Sequence, residues 1–172
     1  NQLAPALTMS WGQFLALVTR TFASEDYQSA LDQGAAWDEA GYLAAASAGI
    51  LREEDALSVS PEQLGESITR EDAAVLLYRA MPEEIQEKYA HPENEALFTD
   101  FDQMDEVHQA AVSALADTQV STGKPDGSFG RTDPIKRCDG TVLLMRTLNV
   151  VDRARTGETV TITLRGVDSE SG

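Results

Sequence analysis

The chain has 172 residues, 42% of them apolar, enough for one packed domain or two small ones and too many for global disorder. A net charge of -16 and a pI near 4.3 weigh against binding to nucleic acid or to an anionic membrane surface, since both need clustered Lys and Arg. No apolar run approaches the roughly 18 residues of a transmembrane helix, and the single cysteine, Cys138, excludes an intrachain disulfide and a cysteine-based zinc site.

The start, NQLAPALTMSWGQ, lacks the charged-then-apolar pattern of a signal peptide. It leads into MSWGQFLALVTRTF (9–22), whose apolar spacing predicts a helix with Ser10 and Gln13 as a capping box. A polar linker (23–36) precedes WDEAGYLAAASAGIL (37–51), a second predicted helix ended by Gly49 as its C′ residue. After an acidic loop, ITREDAAVLLYRAM (68–81) predicts a helix capped by Thr69, with Glu71 and Asp72 suiting its dipole. The linker 82–97 is polar and carries Pro82 and His91-Pro92, which break helices. DEVHQAAVSALADTQV (105–120) then repeats the pattern of 37–51, with Gly49 matching Thr118, and IKRCDGTVLLMRTL (135–148) repeats that of 9–22 and 68–81. Lys136 sits at the cap of this last helix, where it cannot accept from backbone N–H groups, and Gly140 weakens it further. Residues 158–165, ETVTITLR, alternate as a half-buried strand that needs a pairing partner.

The unit is therefore helix, loop, capped helix, seen in full at 37–81 and 98–148 and as its second half at 9–22. Arg20, Arg79 and Arg146 recur at its twelfth position, in the last turn of each helix, where the helix dipole and surface pairing account for them. Closure of the repeats within this chain and closure with a second copy are both compatible with the sequence.

FTDFD (98–102), an Ala-rich helix, G-x-x-DGSF (123–129), I-x-R (135–137) and a final apolar helix together resemble the S-layer homology (SLH) motif. ITRED (68–72) is similar to the Ile-Thr-Arg-Ala-Glu element of that motif, and the resemblance covers roughly 9–148. It implies a mainly α fold of helix–loop–helix units in a pseudo-threefold bundle, here an SLH-type domain over 1–151. The short C-terminal β-strand and tail make up 152–172. It implies a non-catalytic, extracellular module that holds a bacterial surface protein on secondary cell-wall polysaccharide, an acidic glycan, with no cofactor and no metal. By position the family's glycan-contacting arginine is Arg137 in the third unit and Arg70 in the second, with Trp11 in its place in the first. Gly123, Lys124, Asp126, Gly127 and Ser128 belong to the matching loop, and Phe129 anchors it.

The residues themselves fit such roles. Both arginines fall in a first helical turn, where free N–H groups and the dipole favour an anion. A guanidinium there can grip a carboxylate in bidentate fashion. The resemblance pairs Arg137 with the 123–129 loop as the leading site and Arg70 as the next. Trp11 is a further carbohydrate contact through its ring face, although both Trp11 and Trp37 read first as core or groove-wall residues. Departures from the motif are plain: 52–67 lacks the Asp-Gly-Ser-Phe element, and the third helix opens Lys-Arg-Cys-Asp-Gly.

DFDQMDE (100–106) fails the EF-hand spacing and reads as an acidic helix start. Cys138 reads as a buried or half-buried structural residue without a local catalytic partner, and no sequence motif for catalysis is present. The alternative is an SLH-type domain whose grooves no longer bind sugar and which contacts a protein partner. Self-association through the 158–165 strand is one such mode.

Overall fold

The computed structural model describes residues 7–52, 57, 59–89 and 98–157. The strand predicted over 158–165 lies outside the described residues. The chain folds as a helical bundle: α1 (Trp11–Phe22), α2 (Ser24–Asp32), α3 (Trp37–Ser47), α4 (Arg70–Ala80), α5 (Glu83–Tyr89), α6 (Glu106–Asp117) and α7 (Arg137–Thr156).

The linkers read as merely polar carry α2 and α5. In each, two acidic residues in the first turn offset the helix dipole, Glu25 with Asp26 and Glu83 with Glu84. Pro82 separates α4 from α5, as a residue lacking an N–H must. The last helix is longer than its repeat and runs to Thr156, where Gly157 takes the left-handed conformation.

The helices α1, α4 and α7 form the centre, and the residues just before them tie them together. Met9 N–H donates to the Ile135 carbonyl (2.8 Å), Ile135 N–H to Ile68 (3.0 Å) and Ile68 N–H to Met9 (3.1 Å). These positions are equivalent in the three repeats, so the bonds form a closed triangle. A second set follows the same rule: Trp11 N–H to Glu66 (2.9 Å), Arg70 N–H to Asp133 (3.0 Å) and Arg137 N–H to Leu7 (2.9 Å). The pseudo-threefold bundle thus closes within one chain. Met9, Ile68 and Ile135 are themselves buried.

One turn further in, the equivalent residues are Phe14, Ala73 and Gly140. Three large side chains would not fit around one axis, and three small ones would leave a void. Phe14 is fully buried, and a Cβ on Gly140 would come within 2.7 Å of Met9 Sδ. The glycine that weakens α7 on propensity therefore makes room for Met9 and Phe14.

The outer helices pack on the inner helix of the preceding unit, α3 on α1 and α6 on α4. Gly41 allows the closest approach: a Cβ there would lie 2.6 Å from the Ala16 backbone nitrogen. Across the second contact His108 is held between two carboxylates, with Nδ1 2.8 Å from Asp105 Oδ1 and Nε2 3.0 Å from Asp72 Oδ1.

Two of the repeated arginines bond to backbone carbonyls of their own unit. Arg79, 8% exposed, donates from Nη1 to the Ile50 carbonyl (3.3 Å), and Arg146 makes the same bond to Val120 (3.2 Å). Each clamps the chain just after the outer helix of its own unit. Arg20 instead lies over the Tyr27 ring, 5.9 Å from its centroid. The left-handed residues that end α3 and α6 are Gly49 (φ 72°) and Gln119 (φ 59°). The match of Gly49 to Thr118 is corrected by one residue, because α6 is one residue longer than α3.

Phe14→Ala is expected to cost about 3–5 kcal/mol, since Ala73 and Gly140 are too small to fill the space; urea unfolding measures this. His108 gives a pH signature. Burial alone would lower its pKa, but bonds to Asp72 and Asp105 and their charges outweigh it and hold the pKa above the ordinary 6.5. A folded pKa above the unfolded one means the stabilisation is complete below the unfolded value and lost as pH rises through the folded one. Unfolding free energy should therefore fall on going from mildly acidic to alkaline buffer, and this component of the fall should vanish in His108→Gln.

Candidate functional site

The loop between α6 and α7 is built around Asp100. Its Oδ1 accepts from Phe129 N–H (2.7 Å), and its Oδ2 accepts from Gly130 (2.9 Å) and Arg131 (3.1 Å). Burial would raise the Asp100 pKa, but these backbone donors outweigh it and hold the carboxyl below its ordinary range. Phe129 is fully buried and packs against Phe98 with ring centroids 5.5 Å apart. Gly123 has φ 76°, and a Cβ there would strike the Phe98 ring, so both backbone strain and space require glycine. Within the loop Lys124 N–H donates to Ser128 O (2.8 Å), and Ser128 donates to Asp126 Oδ1 from both N (2.9 Å) and Oγ (2.6 Å).

This loop meets Arg70. Arg70 Nε donates to the Phe129 carbonyl (3.0 Å), and the guanidinium carbon lies 5.2 Å from the Phe129 ring centroid. The terminal guanidinium nitrogens have no hydrogen-bond partner among the described residues. The neighbouring cations are paired: Arg131 Nη1 with Glu71 (3.0 and 3.3 Å), and Lys124 Nζ with Asp133 Oδ2 (2.8 Å). The Asp133 bond and charge raise the Lys124 pKa, so this exposed amine stays fully cationic.

The structure thus brings together Arg70, Gly123, Lys124, Asp126, Gly127 and Ser128 at the junction of the second and third units. Arg137 lies at the next junction round the ring, with its amide on the Leu7 carbonyl. The pairing of Arg137 with the 123–129 loop is therefore corrected to Arg70. Trp11 holds the equivalent place at the first junction, 9% exposed and in one core cluster with Leu57 and Leu64. Trp37 is not a core residue: it is 51% exposed at the start of α3. Cys138 is exposed rather than buried.

The argument from free N–H groups at Arg70 and Arg137 is also corrected. Both amides are consumed by carbonyls of the adjacent unit. Any anion at Arg70 would be held by the side chain and the loop, not by the helix terminus. Sequence reasoning missed Asp100, Glu71 and Asp133 as supports of the site. Asp100 was signalled by its place in the Phe-x-Asp start of the motif, whereas the other two carry no local signal.

Residues 97–137 match the sequence model of the S-layer homology domain. This stretch runs from the start of the third unit to the first residue of α7, the part of the chain that carries the motif resemblance most fully. Domains of that family generally anchor surface proteins to cell-wall polysaccharide and are typically non-catalytic. No curated protein matches the chain.

Asp100→Asn is expected to destabilise the protein by about 1–3 kcal/mol, since one carboxylate oxygen now accepting two backbone donors becomes an amide nitrogen. Thermal unfolding measures it. Because the folded Asp100 pKa is depressed, the wild-type contribution is present above the unfolded pKa and lost as pH falls through the folded one. The difference between variant and wild type should therefore shrink in strongly acidic buffer.

Proposed function

We propose that this is a non-catalytic wall-anchoring module that binds an acidic secondary cell-wall polysaccharide at the groove between its second and third units. The observation that carries the reading is Arg70, whose terminal nitrogens have no hydrogen-bond partner among the described residues, set beside a glycine-rich loop in a chain of net charge -16. The free Nη1/Nη2 edge of the guanidinium suits a sugar carboxylate, and the bond from Nε to Phe129 O fixes its plane in advance. Lys124 adds positive charge, and Gly123, Gly127, Asp126 and Ser128 offer backbone and polar edges to hydroxyl groups. Arg137 is a second contact at the next junction. Trp11 contributes by shape, as the filled wall of the first junction.

One observation favours a second reading, a protein-binding domain with an SLH-type fold. Lys124 and Arg131 are already neutralised by Asp133 and Glu71, which lowers the attraction of the loop for an anion.

Sedimentation with purified bacterial cell walls, intact or stripped of secondary polysaccharide, separates the two. The first reading expects co-sedimentation that is lost on stripping and about tenfold weaker binding for Arg70→Ala, the scale of one lost charged contact. Arg131→Ala is the control: it loosens the same loop by breaking the Glu71 pair but should leave most wall binding intact. Binding that survives stripping, or that Arg70→Ala leaves untouched, would favour the second.

A further inference from the structure

The first turn of α4 reaches the third unit through three successive residues. Arg70 Nε donates to the Phe129 carbonyl (3.0 Å), Glu71 accepts from Arg131 Nη1 (3.0 Å), and Asp72 Oδ1 lies 3.0 Å from His108 Nε2. Asp72 also grips its own helix start. Its Oδ2 accepts from Thr69 Oγ1 (2.6 Å), and its N–H donates back to that hydroxyl (3.2 Å). The carboxylate that meets the imidazole therefore also holds the cap residue immediately before Arg70. Of the three ties, only the one to His108 changes charge near neutral pH.

Each ring nitrogen of His108 faces a carboxylate oxygen, and an ionised carboxylate only accepts, so both bonds together need an imidazolium. The His108 side chain is 7% and the Asp72 side chain 20% exposed, which leaves little water to replace a lost bond. Asp72 on α4 and Asp105 at the cap of α6 are the charges that act on the ring, and both hold its proton. Asp102, in the turn before α6, is exposed. The helix α5, also packed on α6, brings Glu84 and Lys88 to the other end of α6, beside Asp117. By position the contact of α1 with α3 has Gln13 and Glu39 where α4 and α6 have Asp72 and His108, and Gln13 is spent on the Ser10 cap. The imidazole thus stands behind the junction that keeps an arginine over a loop, and not behind the one that Trp11 fills.

We propose that His108 is a positioning residue for the groove: as an imidazolium it fixes the first turn of α4 so that Arg70 stays over the 123–129 loop, and its deprotonation weakens the hold of the groove on an anion. The inference rests on the wall-binding reading for its ligand alone. A neutral ring carries one N–H between two carboxylates. One contact then turns repulsive, and the other loses its charge assistance. The charge behind Arg70 also falls by one, in a buried place where salt screens little. Both changes act against anion binding.

NMR of the ligand-free protein, followed from mildly acidic to alkaline buffer, tests the coupling by itself. The Phe129 and Gly130 amides should shift with the midpoint of the His108 ring, and should lose that step in His108→Gln. Co-sedimentation with purified bacterial cell walls over the same range should weaken about fivefold as pH rises through that midpoint, with a flat profile for His108→Gln. Asp105→Asn removes one of the two carboxylates that hold the proton, from the more exposed side of the ring. It should move the ring midpoint and the binding midpoint together to lower pH, which a merely structural role would not do, and it serves equally if His108→Gln fails to fold. Loop amides that ignore the ring titration, or a wall-binding profile that neither variant alters, would overturn the proposal and leave the wall-binding reading standing. Absence of wall binding at every pH would instead remove that reading, and the loop amides would then decide the coupling: a shared midpoint upholds it and its absence overturns it.

Discussion

The structure depends on a triangle of three backbone hydrogen bonds among Met9, Ile68 and Ile135. Each peptide gives its N–H to one neighbour and its carbonyl to the other, so no edge is left unpaired in the interior. An isolated extended residue has no reason to be stable. Three of them, each leading into a helix and each burying an apolar side chain, satisfy one another. This ring sets where every inner helix begins, and its second tier consumes the first free amides of α1, α4 and α7. The ring therefore decides both the architecture and what the helix starts can offer a ligand.

The repeated arginines are the second tie. Arg79 and Arg146 reach the carbonyls that follow α3 and α6, where the chain leaves a helix and a carbonyl needs a donor. The ring joins one unit to the next, while the arginine joins the outer part of a unit to its own inner helix. Arg20 takes a tyrosine face instead, since the described part of the first unit has no outer helix to clamp. Repetition of a residue in this sequence thus marks a structural role more surely than a binding role.

The candidate site is asymmetric although the frame is not. Three junctions exist, and they carry Trp11, Arg70 and Arg137 at one equivalent position. Burial of Trp11 turns the first into core. The second keeps an arginine over a well-formed loop, because Asp100 gathers three loop amides and Gly123 leaves room for Phe98. A support of this kind costs nothing at the groove surface, since its donors and acceptor face inward. Divergence among repeats has left the shared frame intact and confined the differences to what each junction displays.

By itself the sequence determined the helices and their register. Ser10 with Gln13 forms the capping box that its spacing predicts, Thr69 caps α4 as expected, and Lys136 forms no side-chain cap. Period, caps and breakers act over three or four residues, so they are legible without a fold. Even α2 and α5 were within reach, given their acidic first turns, but short polar helices carry too weak an apolar period to stand out. Only the tertiary structure decided that Arg70, not Arg137, meets the 123–129 loop, and that Trp37 and Cys138 are exposed. Those facts rest on contacts between units, such as the 59-residue separation of Arg70 and Phe129. A motif written along one unit cannot show which neighbour it will face once the ring has closed.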